Sequence, residues 1–206
     1  MRGFRAEPRP GLVHWPGVLD GPAQRALMAD VAGLLEAAPA RRQITPSGRA
    51  MSVAMSAAGR LGWVTDRAGY RYEAERPGGG AWPAIPASVL ALWERYAGDP
   101  APPDSCLVNL YGEGARMGLH RDEDEGDFSH PVLSISLGDD ALFRYGLGEG
   151  RSPTRSLWLR SGDVLRMGGR ARLAHHGIDR TRAGSSDVVP WGGRVNLTLR
   201  VVRPTA

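Results

Sequence analysis

The sequence contains no lysine and only one cysteine, and both absences restrict what the protein can be. All 26 basic residues of the 206-residue chain are arginines, the formal charge is +4, and the sequence pI is about 9.8. With Cys106 alone, neither an intrachain disulfide framework nor a zinc cluster of several thiolates can form. Guanidinium groups pair well with phosphates, so a nucleic-acid partner is compatible with this surface, although a GC-rich genome would explain much of the bias.

Long apolar stretches are also absent. No run is long enough to cross a bilayer, and residues 1–15 lack the apolar centre of an export signal. We therefore expect no membrane partner and a cytoplasmic location. The length fits one domain over residues 1–206 with a buried core, and no internal repeat divides it. We expect a monomer.

Two helices and then several short strands are expected from the apolar patterns. Residues 1–20 are predicted to be irregular. Asp20 can cap a helix that starts at Pro22 and has helical apolar spacing over residues 23–38, and Ser88–Tyr96 has the spacing of a second helix. The rest of the chain alternates short apolar segments with turn residues, which is typical of an antiparallel sandwich or barrel. The predicted strands are Cys106–Tyr111, Val132–Leu137, Ala141–Tyr145, Ser156–Leu159, Asp163–Met167 and Arg194–Val202.

Residues 41–85 show no sustained period. They mix small residues, aromatic residues and arginines, and Gly and Pro interrupt them throughout. Aromatic side chains between arginines suit a surface that stacks on bases and grips phosphates. The plainer interpretation is a small hairpin whose aromatic residues cover the edge of the core. On this segment alone we favour the plainer interpretation.

The segment NLYGEGARMGLHRDED, residues 109–124, carries a candidate metal site. In an extended strand, His120 and Asp122 would point the same way, since side chains two apart share a face. An imidazole and a carboxylate side by side are two thirds of the 2-His-1-carboxylate triad that holds ferrous iron. Two later histidines in ARLAHHGI, His175 and His176, are the candidates for the third ligand.

An acidic run that includes Asp122 and Asp124 stands out in this basic chain. If the alternation set by the preceding histidine continues, both of these carboxylates face one cavity. Three other acidic residues of the run are expected to lie in a solvated loop: Glu123, Glu125 and Asp127. Two further histidines, His14 and His130, have no partner that the sequence identifies, and we predict structural roles for them.

The last predicted strand, RVNLTLRVV, alternates apolar and polar residues. A strand with one solvent-facing side is the usual explanation of such a pattern. Arg194 and Arg200 could instead line the interior of a barrel, where unpaired guanidinium groups are very costly and an anion such as a dicarboxylate would be required. Two earlier strands present further polar groups that could converge on the same cavity: Asn109, Tyr111, Ser134 and Ser136.

Taken together, these residues resemble the AlkB family of Fe(II)- and 2-oxoglutarate-dependent dioxygenases, and bacterial members most closely. The resemblance extends over about residues 43–201 and rests on His120-x-Asp122, the histidine of HHGI, and the closing RxNxTxR pattern. TPSGRAMSVAM, LGWVT and GY match the family's nucleotide-recognition lid.

The resemblance implies a mainly β (α+β) fold. Its core would be a double-stranded β-helix (jelly roll) over about residues 105–203, flanked by N-terminal helices. A nucleotide-recognition lid would occupy about residues 41–85. The implied cofactors are Fe(II) and the co-substrate 2-oxoglutarate.

The resemblance also implies roles for individual residues. Alignment on the glycine of HGI favours His176 over His175 as the third iron ligand, beside His120 and Asp122. The residues implied for 2-oxoglutarate are Asn109, Tyr111, Arg194, Asn196 and Arg200. Trp63 would stack on the target base, and Asp124 would accept a hydrogen bond from its exocyclic amine. The residues that would shape the lid or touch the strand are Tyr70, Met51, Met55, Thr45 and Arg49.

The implied activity is oxidative demethylation of 1-methyladenine and 3-methylcytosine in DNA, with RNA as a further substrate class, releasing formaldehyde, succinate and CO2. Single-stranded DNA is favoured, because the base must leave the stack to be reached. The alternatives are an oxygenase of the same kind acting on a protein or small molecule, and a non-catalytic basic nucleic-acid binder. Three departures from the family pattern bear on strand preference and substrate range: Arg49, Ser156 and Met167.

Overall fold

The computed structural model describes residues 5–148 and 152–202. Residue 203, the expected end of the core, and the outermost residues of the expected 1–206 domain lie outside the described residues. In the N-terminal part the elements are β1 (Ala6–Arg9), β2 (Leu12–Trp15), α1 (Gly21–Ala37), β3 (Arg41–Ile44), β4 (Ala50–Gly59), β5 (Gly62–Asp66), β6 (Gly69–Glu73) and α2 (Ala87–Tyr96). The later elements are β7 (Ser105–Tyr111), β8 (Met117–His120), β9 (Val132–Gly138), β10 (Asp140–Gly146), β11 (Thr154–Leu159), β12 (Val164–Met167), a 3-10 turn (Gly169–Ala171), β13 (His176–Arg182) and β14 (Arg194–Arg200).

Twelve of the described strands form two facing antiparallel sheets, and β5 and β6 form a third. The larger has eight strands in the order β1-β2-β12-β9-β14-β7-β4-β3, and the smaller has four in the order β11-β10-β13-β8. Apolar residues from both sheets, among them Leu12, Val53, Phe143 and Ile178, form one buried cluster. The predicted mainly β fold with a jelly-roll core is confirmed.

Both predicted helices form and cover the outer face of the larger sheet. The backbone N–H of Ala23 donates to Asp20 Oδ1 over 2.9 Å, so Asp20 caps α1 as expected. Leu27 and Val31 of α1 and Trp93 of α2 belong to a second buried cluster that includes residues of β9 and β14. No helix in the described residues is long and apolar enough to cross a membrane.

Strand β14 lies in the middle of the larger sheet, and all seven of its residues are buried. Val195, Leu197 and Leu199 pack towards the helices. Arg194 and Arg200 point to the other face, where they line a cavity between the sheets. The interpretation of β14 as a solvent-facing strand is therefore wrong, because its alternation separates an apolar core from a polar interior.

Several short strands were not predicted. Residues 1–20, expected to be irregular, contain β1 and β2, and β2 pairs with β12 at the edge of the larger sheet. Residues 41–85 contain four strands, of which β5 and β6 pair only with each other. We call this two-stranded unit, residues 62–73, the aromatic hairpin. The plainer interpretation of a hairpin was correct for this part, whereas β3 and β4 extend the larger sheet.

Candidate metal centre and its pocket

Two histidines and one aspartate meet at the edge of the smaller sheet, where β8 pairs with β13. His120 ends β8 and His176 begins β13, and the two residues lie directly opposite each other across the β8–β13 pair. Asp122 Oδ1 lies 3.6 Å from His120 Nε2, and its Oδ2 lies 3.8 Å from His176 Nε2. One ligand atom from each residue falls within 4.8 Å of the others. This spacing suits three ligands on one face of a metal ion.

Both imidazoles are oriented by backbone carbonyls. His120 Nδ1 donates to Gly118 O and His176 Nδ1 donates to Ala174 O, each over 3.0 Å. A carbonyl oxygen only accepts, so the proton must reside on Nδ1 in both rings. Each Nε2 is then left with a lone pair directed at the other ligands, which is how neighbouring groups select the metal-binding nitrogen.

Asp122 reaches the histidines by a different route from the one predicted. Strand β8 ends at His120, so Asp122 lies in the following loop and not on the same strand. Arg172 Nη1 donates to its backbone carbonyl over 2.7 Å, and Arg200 Nη2 donates to its Oδ2 over 2.8 Å. The two arginines, rather than strand geometry, hold this carboxylate towards the imidazoles.

The electrostatics favour the ligating forms of Asp122 and His176 but not that of His120. Burial alone would raise the pKa of Asp122, but the Arg200 guanidinium and the two imidazoles hold this pKa well below its usual range. Burial lowers the pKa of His176 to about 4, against the attraction of Asp122. Burial also disfavours the charged form of His120, yet its contact with Asp122 raises the pKa above the ordinary value.

His175 lies next to the triad without joining it. It borders the cavity and is half-buried, and its backbone carbonyl accepts a hydrogen bond from Gly146 N over 2.8 Å. Strand β13 begins at His176, so His175 lies just before the strand and outside its pairing with β8. The group that can hold a metal thus contains His176 and not His175.

A cavity of about 490 Å³ extends from the triad into the space between the sheets. Arg194 lies at its inner end with 1% of its surface exposed. Its Nη2 donates to Ser136 Oγ over 2.8 Å and its Nη1 donates to Asp139 O over 3.3 Å, while its Nε has no partner. Among the described residues, no carboxylate lies within ion-pair distance of this guanidinium, and burial lowers its pKa. A buried cation of this kind fits an anionic ligand.

Polar groups continue from Arg194 towards the metal triad. Arg194 stands opposite Tyr111, and Asn196 stands opposite Asn109 across the β14–β7 pair. Asn109 Oδ1 and Arg200 Nη1 are buried without a hydrogen-bond partner in the described residues. Burial also raises the pKa of Tyr111 to about 12, so its hydroxyl stays protonated and can donate. One end of a dicarboxylate could therefore meet Arg194 while the other lies near Arg200.

Aromatic residues border the outer end of the cavity. The rings of Trp63 and Tyr70 in the aromatic hairpin are stacked, with centroids 5.6 Å apart and planes inclined by 15°. Trp63 Nε1 donates to Asp124 Oδ2 over 2.7 Å. Asp124 was expected to face the cavity, and it does border it. Flat rings beside a carboxylate suit a planar ligand that carries positive charge.

The remaining predicted residues differ in their distance from the cavity. Met51 and Met55 border it. Thr45 and Arg49 lie at the exposed turn between β3 and β4, where Arg49 N donates to Thr45 Oγ1 over 3.1 Å. Of the departures from the family pattern, Met167 also borders the cavity, and Ser156 and Arg49 do not.

The prediction that Glu125 lies in a solvated loop is wrong. Only 5% of its surface is exposed, and it contacts two arginines and one tyrosine. Arg172 and Arg200 lie 3.1 Å and 3.0 Å from its two carboxylate oxygens, and Tyr72 Oη donates to it over 2.6 Å. The acidic composition of the loop gave no sign of this burial, because its partners lie far away along the chain.

Two histidines outside the cavity have structural partners, as expected. His14 Nε2 lies 2.8 Å from Asp163 Oδ2, and His130 Nδ1 lies 2.7 Å from Asp99 Oδ2. Both pairs join segments that are distant in sequence, and neither histidine lines the cavity. The sequence did not identify these carboxylates, since short-range patterns carry no signal for such contacts.

The donor set fits ferrous iron with 2-oxoglutarate. Two imidazole nitrogens and one carboxylate form the facial triad of non-haem iron oxygenases, which leaves coordination positions for other ligands. The buried donors of Arg194 and Arg200 without partners suit the two ends of a keto dicarboxylate. A zinc site of thiolates is excluded, because the only cysteine is buried elsewhere in the core.

Comparison with known proteins agrees with this geometry. A family model described as the 2OG-Fe(II) oxygenase superfamily matches residues 11–200. The chain is 57% identical over 196 residues to the alpha-ketoglutarate-dependent dioxygenase AlkB homolog of Caulobacter vibrioides, covering 94% of this chain and 89% of the relative. It is 41% identical over 183 residues to alpha-ketoglutarate-dependent dioxygenase AlkB of Escherichia coli, covering 86% and 84%.

The chain is also similar to two ALKBH1 proteins, one by structure and one by sequence. The solved structure of OsALKBH1 superimposes with a TM-score of 0.80 at 30% identity, covering 96% of this chain and 99% of that chain. Over 111 residues the chain is 41% identical to the DNA N(6)-methyladenine demethylase ALKBH1C of Arabidopsis thaliana, covering 48% of this chain and 24% of the relative.

Proposed function

Because this chain belongs to the 2OG-Fe(II) oxygenase superfamily and, within it, to the AlkB dioxygenases, we propose that it demethylates alkylated bases in nucleic acid. It is a dioxygenase that uses Fe(II) and 2-oxoglutarate. The proposed substrates are 1-methyladenine and 3-methylcytosine in DNA, with RNA as a further class. One observation carries the proposal: a metal triad, a buried guanidinium without an acidic partner and a stacked aromatic pair border the same cavity.

The metal ligands in this proposal are His120, Asp122 and His176. Hydrogen bonds from Nδ1–H orient the two histidines, and two arginines hold the carboxylate. The ligands are thus in place before the metal binds, and little reorganisation is required. When bound, Fe(II) with 2-oxoglutarate supplies the oxidation of a methyl C–H bond by O2, with formaldehyde, succinate and CO2 as products.

The co-substrate lies along β14 and its neighbours. Arg194 binds the distal carboxylate, and Tyr111 and Asn196 support it there. Arg200 and Asn109 lie at the end that faces the metal. The depth of Arg194 excludes water from the distal carboxylate, which strengthens this charge pair relative to one in solvent.

The methylated base enters from the side of the aromatic hairpin. Trp63 stacks on the base, Asp124 accepts a hydrogen bond from its exocyclic amine, and Tyr70 borders the same opening. Methylation at N1 of adenine or N3 of cytosine blocks pairing and adds positive charge. Removing such a base from the stack costs less than the roughly few kcal/mol needed for a paired base. Its charge suits the carboxylate and the aromatic faces.

The surrounding segments have matching roles in this proposal. Residues 41–85 act as the nucleotide-recognition lid on a jelly-roll core over residues 105–203, within one domain. Met51 and Met55 shape the lid, and Thr45 and Arg49 meet the nucleic-acid strand beside the lesion. Single-stranded DNA is the favoured substrate, because its bases are already accessible.

We also place the protein in the cytoplasm as a monomer with no membrane partner. The proposed substrate is intracellular nucleic acid, and a single chain supplies every residue assigned to the iron, the co-substrate and the base. A partner subunit would add no group that the site lacks.

The test is turnover of defined oligonucleotides. Single-stranded DNA with one 1-methyladenine or 3-methylcytosine is incubated with protein, Fe(II), 2-oxoglutarate and O2, and formaldehyde, succinate and restored base are quantified. We expect restored base and formaldehyde in equal amounts, and no reaction on the unmethylated control. Consumption of 2-oxoglutarate that no methylated oligonucleotide stimulates would instead favour an oxygenase acting on a protein or small molecule.

A further inference from the structure

We infer that Glu125 and Arg172 are positioning residues that tie the aromatic hairpin to the iron end of the pocket. The inference rests on the proposed function, which gives no role to these two residues. Together with Tyr72, Arg200 and Asp122 they form a buried set of polar contacts, which we call the Glu125 cluster.

Glu125 is the centre of the cluster. Its side chain is 1% exposed, and it lies between two guanidinium groups. Its Oε2 lies 3.1 Å from Arg172 Nη2, and its Oε1 lies 3.0 Å from Arg200 Nε. A buried carboxylate is tolerated only with such pairing, and loss of one partner leaves an uncompensated charge. The positions of the two arginines are therefore coupled through Glu125.

Arg172 connects this carboxylate to the main chain of the metal-binding loop. Its side chain is 3% exposed, and it donates to Asp122 O over 2.7 Å and to His130 O over 2.8 Å. These bonds fix the backbone at both ends of the segment that carries Glu125. Arg172 thus positions the metal ligand Asp122 from its backbone side, while Arg200 holds its carboxylate.

Tyr72 extends the cluster into the aromatic hairpin. It lies directly opposite Trp63 across the β5–β6 pair, and its hydroxyl donates to Glu125 Oε1 over 2.6 Å. Burial raises the pKa of this hydroxyl well above its ordinary value, so it remains a donor. The strand that positions the base-stacking tryptophan is therefore bonded to the carboxylate that orients Arg200.

Arg200 transmits the contact to the co-substrate. Its Nε lies 3.0 Å from Glu125 Oε1 in an ion pair that lacks hydrogen-bond geometry, and its Nη2 donates to Asp122. Its Nη1 is a buried donor without a hydrogen-bond partner in the described residues. Rotation of this guanidinium away from Glu125 would move Nη1 and weaken the hold on Asp122 at once. Displacement of the aromatic hairpin therefore affects both the metal ligand and the end of 2-oxoglutarate beside it.

Tyr72→Phe is the mildest test, because it removes one hydroxyl and little volume. The measurements are the KM for a methylated oligonucleotide and the amount of succinate formed per restored base, with Tyr96→Phe on α2 as the matched control. We expect about a fivefold rise in KM and more succinate per restored base, which is the size of effect typical for loss of one hydrogen bond. Unchanged values would overturn the link to the hairpin.

Glu125→Gln tests the same connection without nucleic acid. Its Kd for 2-oxoglutarate, measured anaerobically with Co(II) in place of iron, should rise about tenfold, because a neutral amide holds Arg200 less firmly. If Tyr72 acts through Glu125, adding Tyr72→Phe to Glu125→Gln should change the succinate ratio less than twofold. Fully additive effects, or a loss of thermal stability with normal affinity and normal ratio, would indicate a merely structural role.

Arg172→Lys keeps the charge but cannot reach three acceptors at once. We expect about a tenfold loss of Co(II) affinity, which is typical when a group that supports a metal ligand is removed. Arg170→Lys, two residues away and exposed, is the matched control. Equal affinities for the two variants would overturn the role of Arg172. Absence of repair by the wild-type protein would refute the proposed function, whereas these binding measurements would still decide the inference.

Discussion

The two ends of the pocket are built on different kinds of structure. The inner end lies on β7, β9 and β14 in the middle of the larger sheet, where Arg194 is 1% exposed and bonded to neighbouring strands. The outer end lies on the aromatic hairpin, which pairs with no other sheet and leaves Tyr70 49% exposed. Under the proposed function, the co-substrate that every turnover shares lies deep in a large sheet, whereas the variable nucleic acid meets a smaller and more exposed element.

This contrast has an energetic reason. A guanidinium buried without an acidic partner is costly, and the surrounding sheet must be stable enough to hold it ready for an anion. Stacking on a base needs only a flat ring in reach and is tolerant of small displacements. The Glu125 cluster lies between the two ends. Through its contacts, a displacement of the aromatic hairpin would change the position of Arg200.

The largest expected effect is at the metal triad, between the inner and outer ends of the pocket. His176→Ala should lower iron-dependent turnover by more than about 100-fold, because a direct ligand is lost rather than a group that supports one. The measurement is succinate formation at saturating Fe(II), and His175→Ala, the adjacent and half-buried histidine, is the control. If His175→Ala abolished activity and His176→Ala did not, the assignment of the third ligand would be wrong.

Arg194→Met should raise the KM for 2-oxoglutarate by roughly 100-fold, as expected when a desolvated charge pair of about 3 kcal/mol is lost. The melting temperature without ligand should not fall, because the substitution removes a buried charge that lacks an acidic partner in the described residues. In addition, 2-oxoglutarate should stabilise the wild-type protein but not this variant. Arg25→Met on the exposed side of α1 is the control, and an unchanged KM for Arg194→Met would contradict the carboxylate role.

At the outer end, Trp63→Ala should lower repair of methylated DNA by about tenfold, since stacking on one base contributes roughly 1–3 kcal/mol. Turnover of 2-oxoglutarate without nucleic acid should change far less. Trp191→Ala, which removes another exposed indole away from the cavity, is the control. If Trp63→Ala lowered repair and 2-oxoglutarate turnover equally, the indole would not act on the base alone, and its assignment to base stacking would be contradicted.

The smallest expected effect concerns pH and metal binding. His120 has a raised pKa and His176 a pKa of about 4, so His120 is the imidazole that takes up a proton first as the pH falls. A protonated imidazole cannot ligate. As the pH is lowered, Co(II) affinity should therefore already decrease before pH 6.5 is reached, and it should decrease by up to about tenfold for each further pH unit. Affinity that stays constant down to pH 6 would contradict the assignment.

The sequence allowed the inner end to be predicted better than the outer end. The alternation of β14 separates apolar from charged residues over seven positions, which is long enough to read. His120 and Asp122 are close in the chain, so their meeting was expected even though β8 ends between them. The choice of His176 depended on the family resemblance, because two adjacent histidines carry no signal of which one turns inwards.

The remaining features depend on contacts between distant residues. Glu125 lies in an acidic run that is typical of a solvated loop, and its burial follows from Arg172 and Arg200, 47 and 75 residues further along. Four of the strands that were not predicted contain only four residues each: β1, β2, β3 and β8. Length alone does not decide, since β12 is equally short and was predicted. Pairing with neighbouring strands, rather than their own composition, makes these four segments strands.

A single-turnover experiment tests the central claim most directly. Protein, one equivalent of Fe(II), one of 2-oxoglutarate and single-stranded DNA with one 1-methyladenine are combined without oxygen, O2 is then admitted, and succinate and restored adenine are counted. If one iron, one co-substrate and one base share this pocket, about one succinate should form for each restored adenine. Succinate formed with the methylated base left intact would contradict the account.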